Sequence, residues 1–271
     1  MLASQPMSDG IKTFSGGRAQ AKKSLGQHFL KDAQAVRRMV DLLPAGARVL
    51  EVGPGPGALT EHLIKKAGAL TLIEADNRFA AYWTEQAEQH SQLAVVHADV
   101  LKVLEEVVER CAPEWIVGNL PYNISGPLTA QLAALQVSGG MILMYQKEVA
   151  ERLRAGPGSK VYGGLSVLVQ HHYEIKKLLN LPPGAFSPPP KVHSQVVVLT
   201  PHGREPSCSF EALQRTVRQG FAHRRKTLSN NFKGVLDAGD WQRLDIDASK
   251  RPEQLGYDVW ASLATYRNPD Q

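Results

Sequence analysis

The chain has 271 residues, 43% of them hydrophobic, and carries 31 Lys and Arg against 26 Asp and Glu for a net charge of +5; this length predicts about two domains with a real core. No apolar stretch approaches the roughly 20 residues of a membrane helix, and the first residues, MLASQPMSDGIKTFSGGRAQ, have no hydrophobic signal core, so a soluble cytoplasmic protein is expected and a membrane protein is not. Two cysteines, Cys111 and Cys208, are too few for a disulfide framework and lie outside any CxxC or His-rich spacing, so no metal site is expected.

The positive charge is concentrated in two segments. Residues 1–38 hold seven bases against Asp9 and Asp32, and residues 215–233 hold Arg215, Arg218, Arg224, Arg225, Lys226 and Lys233 with no acid. Such runs are either solvated faces or the footprint of a polyanion, of which nucleic acid is the commonest.

In chain order, residues 1–21 lack periodicity and are rich in Ser, Gly and Gln, as in a flexible tail. From Ala47, ARVLEV is a short strand followed by the glycine cluster GPGPGALT and a helix through about Lys66. ALTLIE is a second strand ending at Glu74, followed by helical NRFAAYWTEQAEQ; LAVVHAD is a third, ending at Asp99, followed by helical VLKVLEEVVER. EWIVGNL and GGMILMYQ are the fourth and fifth, with the helix KEVAERLRA next. GGLSVLVQHHYEI and HSQVVVLTP read as two more strands, separated by LPPGAFSPPPKV, whose five prolines exclude regular structure. After about Pro201 only helices are predicted. Strands alternating with helices imply an α/β, Rossmann-like, doubly wound and mostly parallel seven-stranded sheet. The predicted division is a tail over 1–21, an α/β domain over 22–202 and a small helical domain over 203–271.

Gly53, Gly55 and Gly57 follow the first of these strands, where a glycine turn lets the backbone approach a ligand at a helix N-terminus. The spacing is GxGxG and admits NAD, flavin or S-adenosylmethionine. Glu74, 21 residues after Gly53 and at a strand end, can grip both hydroxyls of a ribose. Asp99 at the next strand end can accept from an adenine amine. Either acid alone also suits a helix N-cap. The pair beside a glycine turn points to a nucleoside pocket.

The fourth predicted strand ends in VGNLPY. An aromatic amine is a poor nucleophile because its lone pair is delocalised into the ring; two acceptors aimed at its hydrogens would hold it and favour a tetrahedral nitrogen. The Asn119 side-chain oxygen and the Leu120 carbonyl can supply them, with Pro121 fixing the turn and Tyr122 offering a stacking face. The bland alternative is a proline turn beside a core tyrosine.

These segments resemble the ribosomal RNA adenine dimethyltransferases. KKSLGQHFL is similar to that family's N-terminal signature, LEVGPGPGALT to its cofactor loop, GNLPYNIS to its catalytic motif, FSPPPKVHSQVV to its proline loop and FAHRRKTLSNN to its basic helix. QKEVAERL and YGGLSVLVQ fall in order between them, so the resemblance runs from about Lys22 to Lys233.

The resemblance implies transfer of methyl groups from S-adenosylmethionine to the exocyclic amines of two adjacent adenosines near the 3′ end of small-subunit ribosomal RNA, in a 30S subunit or assembly intermediate, by a monomer. It further implies that His28, where the family often has asparagine, and Leu30 cover the cofactor, with Gly53 and Gly55 lining its pocket. Glu74 would hold the ribose and Asp99 the adenine amine, with Asn119 touching both cofactor and target. Phe186 would stack on the target base opposite Tyr122. Arg215, Arg218, Arg225 and Lys226 fall on one face of a helix over 210–232, while Arg224 falls near its apolar stripe, which implies a bend around 220–223; these five, with Lys22 and Lys23, are expected to grip phosphates. The alternatives are a large-subunit RNA methyltransferase conferring antibiotic resistance, whose motif more often has isoleucine where Leu120 stands, a non-catalytic assembly factor of the same fold, and a dehydrogenase, which leaves NLPY unexplained.

Overall fold

A computed structural model describes residues 21–22 and 25–267. The tail expected before Ala21 and the candidate RNA contact Lys23 lie outside the described residues.

Among the described residues, nine strands occur in chain order: β1 (Phe29–Leu30), β2 (Arg48–Val52), β3 (Ala69–Glu74), β4 (Leu93–His97), β5 (Trp115–Asn119), β6 (Gly140–Gln146), β7 (Tyr173–Leu181), β8 (Phe186–Ser187) and β9 (Ser194–Pro201). Seven form one sheet in the order β4-β3-β2-β5-β6-β9-β7. β2 through β6 are mutually parallel, while β9 runs antiparallel to both β6 and β7. The strand order reverses between β2 and β5, and ligands of open α/β sheets bind at such a switch point, beyond the carboxyl ends of the strands.

Helices cover both faces, so the central strands are buried on both sides and, apart from Glu51 in β2, mainly apolar rather than alternating. Adjacent residues still face opposite cores. Val117 and Ile142 pack with Met39, Leu63, Phe79 and Trp83 on one face, whereas Ile116, Met141 and Leu143 pack with Leu104, Leu128 and Leu132 on the other. The second core continues without a break into the C-terminal helices through Leu213, Val217, Phe232 and Trp260.

Three sequence expectations need correcting. The run 163–175 is not one strand: Gly164–Val169 is a helix, and β7 starts only at Tyr173. A short apolar run has no period that separates a strand from a helix buried all round, and here Ser166 Oγ accepts from Gly163 N at 3.1 Å to start the helix. The proline loop is not wholly irregular, because Phe186 and Ser187, which keep their N–H groups, pair antiparallel with Leu30 and Phe29. The single helix expected over 210–232 is two, Phe210–Gly220 and Leu228–Asn231. The chain turns there because Gly220 lies against Trp260, where a Cβ would sit 2.3 Å from the indole. Helices Ala33–Asp41 and Ser125–Ala134 lie in stretches for which no element is predicted.

Candidate active site

A cavity of 340 Å³ opens at the switch point, lined by the ends of β2, β3, β4 and β5 and by the segment 25–30. The turn after β2 makes its floor. Gly53 has φ +68° and open space where a Cβ would project, so glycine there serves both the left-handed turn and room for a ligand. Gly57, at φ +101°, leaves place for the Trp83 ring, which a Cβ would meet at 2.4 Å. Trp83 in turn donates from Nε1 to the Gly55 carbonyl at 2.8 Å, bracing the loop from below.

Glu74 closes β3. Its Oε2 accepts from Gly55 N at 2.9 Å and its Oε1 from Asp76 N at 2.8 Å. The carboxylate therefore holds the glycine turn in shape, and each oxygen retains a second lone pair toward the cavity it lines. Burial pushes its pKa up, against the pull of those two amides. Asp99 likewise has two tasks: Oδ1 accepts from Leu101 N at 3.1 Å as the N-cap of helix Val100–Cys111, and the residue borders the cavity.

Asn119 ends β5. Its Nδ2 donates to the backbone carbonyl of His28 at 2.8 Å. A carbonyl can only accept, so the amide nitrogen must face it, and Oδ1 is left as an acceptor on the other side. Leu120 has a buried side chain and donates its N–H to Met144 O at 3.3 Å; its neighbours Asn119, Pro121 and Tyr122 border the cavity. Ile124 N donates to Pro121 O at 3.2 Å and Ser125 Oγ to Tyr122 O at 3.1 Å, which closes the turn. The Tyr122 ring stacks on His28, centroids 5.4 Å apart and planes 29° from parallel, and its hydroxyl shares a 2.5 Å hydrogen bond with Ser194 Oγ. Burial keeps this phenol neutral by raising its pKa. His28 Nδ1 lies 2.8 Å from Pro188 O, and Leu30 caps the same end of the cavity.

Other candidates sit elsewhere. Phe186 is 1% exposed and packs into the core with Leu30 and Ala185 rather than against Tyr122; its pairing with Leu30 turns the ring inward. Lys22 is spent on an ion pair, Nζ to Asp76 Oδ1 at 3.0 Å. Asp76 also accepts from Gln27 and, bidentately, from Arg78, whose guanidinium holds its carboxyl far below the usual range. That network fastens the segment before His28 to the end of β3. Arg224 Nη2 donates to the carbonyls of Lys160 and Tyr162, so it joins the C-terminal helices to the loop before Gly164. Arg215, Arg218, Arg225 and Lys226 are exposed on the outer side of the same helical region. Among the described residues, no cluster of three or more His, Cys, Asp or Glu is placed to hold a metal ion, and no helix is long and apolar enough to cross a membrane.

Among the ionisable residues that line the cavity, one has no counterpart in the sequence candidates. Glu51, next to last in β2, is 2% exposed and borders the cavity; the Thr60 hydroxyl is its polar neighbour, too weakly placed to count as a well-formed hydrogen bond. Burial pushes its pKa up to about 8, with Glu74 nearby adding to the rise. An acid inside a strand carries no signal of its own; only the helices on both faces make it a buried one.

The sequence model described as "Ribosomal RNA adenine dimethylase" matches residues 18–268. Proteins named "Ribosomal RNA small subunit methyltransferase A" from Xanthomonas oryzae and Xanthomonas campestris are each 45% identical, covering 88% of this chain and 92% of theirs. Among solved structures, a dimethyladenosine transferase from Plasmodium falciparum superposes with a TM-score of 0.74 at 26% identity, covering 87% of this chain and 96% of that one. The 23S rRNA methyltransferase ErmE, at 21% identity and a TM-score of 0.61 over 88% of this chain and 98% of its own, shares the fold. With a nucleoside-sized cavity at the switch point and relatives alike over nearly their whole length, this chain belongs to the ribosomal RNA adenine dimethylase family.

Proposed function

We propose that this protein methylates the N6 amines of two adjacent adenosines near the 3′ end of small-subunit ribosomal RNA, using S-adenosylmethionine. The observation that carries this reading is the orientation of Asn119. With Nδ2 given to His28 O, Oδ1 is the atom presented to a substrate, and an acceptor is what an adenine amine requires.

The cavity fits the cofactor by its donors and acceptors. Glu51, a buried carboxyl with no cationic neighbour among its interactions, suits a cationic group; the remaining lone pairs of Glu74 suit a ribose diol; Asp99 suits an adenine amine; Gly53 leaves room for a ligand to approach the backbone; His28 and Leu30 border the cavity beside them. When bound, the cofactor supplies an electrophilic methyl group on a sulfonium. The protein holds the nucleophile. Asn119 Oδ1 and the Leu120 carbonyl accept the two amine hydrogens, drawing the nitrogen toward tetrahedral geometry as its lone pair engages. No general base is needed before attack, because the alkylated ammonium is strongly acidic and sheds its proton afterwards. Tyr122 supplies a stacking face at about 1–3 kcal/mol, against the few kcal/mol that extraction of a base costs.

Arg215, Arg218, Arg225 and Lys226 form the surface for phosphates, in a helical unit that follows the last strand at Pro201. The substrate is a 30S subunit or an assembly intermediate, met in the cytoplasm by a monomer. Support comes from the 45% identity to the Xanthomonas small-subunit enzymes.

Incubation with radiolabelled S-adenosylmethionine and separately purified, unmodified small and large subunits tests the reading. Label should enter small-subunit RNA as dimethyladenosine, and Asn119→Ala should lower the rate about a hundredfold. Label confined to large-subunit RNA, or none, would overturn it.

A further inference from the structure

The proline loop makes a contact that the proposed chemistry does not use. Tyr122 is held at its backbone by the turn after β5 and on one ring face by His28. Its far end is held by Ser194 Oγ at 2.5 Å. Ser194 is fully buried and opens β9, paired on one side with Gln146 of β6 and on the other with Leu181 of β7. A hydroxyl carried on a residue locked between two strands is a fixed post.

We infer that Ser194 is a positioning residue for methyl transfer, acting through the Tyr122 hydroxyl to hold in place the ring on which the target base stacks. This rests on the assignment of Tyr122 as the stacking face. A tyrosine side chain has two torsions. The turn fixes where the side chain begins; a hydrogen bond at the opposite tip restrains the first torsion and so where the ring lies, and the His28 ring against one face limits the second, so the ring is placed before a base arrives. Stacking by itself needs no hydroxyl, and phenylalanine would offer the same face. The hydroxyl is therefore explained by orientation. Packing does not require the serine hydroxyl either, since alanine fits the same strand position with the register unchanged. The loop before Ser194 also reaches the site, where Pro188 O meets His28 Nδ1. The loop is thereby linked to the ring that stacks on Tyr122.

The test measures methyl transfer to unmodified small subunits by wild type, Ser194→Ala, Ser194→Thr, Tyr122→Phe and the Ser194→Ala/Tyr122→Phe double variant. Ser194→Ala should lower kcat about three- to tenfold, the worth of one neutral hydrogen bond, with an unchanged KM for S-adenosylmethionine. Tyr122→Phe should cost the same, the double variant no more than either single one, and Ser194→Thr should restore most of the loss because it keeps the hydroxyl. A wild-type rate in Ser194→Ala, or losses that multiply in the double variant, overturns the inference. Should Ser194→Ala fail to fold, Tyr122→Phe breaks the same bond from the other side, and a wild-type rate there is equally decisive. A wild type inactive on both subunits overturns instead the functional reading beneath it.

Discussion

A carboxyl group removed from water must find a positive partner or keep its proton. Glu51 has no such partner, and burial lifts its pKa to about 8, so at pH 7 it is mainly protonated. A cation entering the cavity would favour the carboxylate and expel that proton. The sign follows: below about pH 8 affinity for S-adenosylmethionine should rise with pH, up to about tenfold per unit, and level off above it. Calorimetry at pH 7 in buffers of different ionisation enthalpy should find about one more proton released by wild type than by Glu51→Gln, whose affinity should be weaker and flatter with pH. Equal proton release by the two proteins would remove Glu51 from this role. That Glu74, Asp99, Asn119 and Tyr122 border one cavity was legible because each stands at or just beyond a strand end, a place the alternation of strand and helix reveals. Glu51 was not, because its burial comes from helices packed on both faces of β2. The burial of Phe186 was hidden for a related reason: five prolines suggest a stiff exposed loop, but the residue is paired with Leu30, far away in the chain, and its ring lies in the core.

The basic turn between helices Phe210–Gly220 and Leu228–Asn231 is built by two anchors. Asn231 accepts from His223 N and donates to His223 O, while Arg224 reaches back to Lys160 and Tyr162. Arg225 and Lys226 are left pointing outward. Charge alone does not separate Arg224 from its neighbours, since the carbonyls it binds lie in a loop about sixty residues earlier; the break at Gly220 is equally hidden, being imposed by Trp260. The structure divides the cluster into a joint and an exposed pair, and the two are expected to behave differently. Arg225→Ala and Lys226→Ala should each reduce the slope of log affinity for ribosomal RNA against log salt by about 0.7–0.9. Arg224→Ala should leave the slope unchanged and lower unfolding stability by about 1 kcal/mol, read as a Tm loss of about 2–4 °C. A salt slope changed by Arg224→Ala and untouched by Arg225→Ala would reverse the assignment.

Across the whole molecule, the sheet and the C-terminal helices share one core, so the end of the β pattern near Pro201 marks a change of architecture rather than a gap in packing. The seam is occupied by His171, 1% exposed, with Nδ1 2.9 Å from the Tyr257 hydroxyl, its carbonyl 2.9 Å from His202 Nε2, and Phe210 against its ring. Burial, with His172 and His202 adding to it, holds its pKa down at about 4. The unfolded chain takes up this proton below about pH 6.5 and the folded protein only near 4, so acidification between those values favours unfolding. His172, also shifted down, acts in the same direction. Glu51 acts in the opposite one, because its folded pKa is raised and the native state gains as pH falls; Asp76, shifted down, matters only below about pH 4. The informative quantity is thus the difference between wild type and His171→Gln. Urea unfolding at pH 7 and pH 5 should show that difference moving in favour of the variant by about 2 kcal/mol, and a difference constant with pH would mean that the seam is indifferent to the charge on His171.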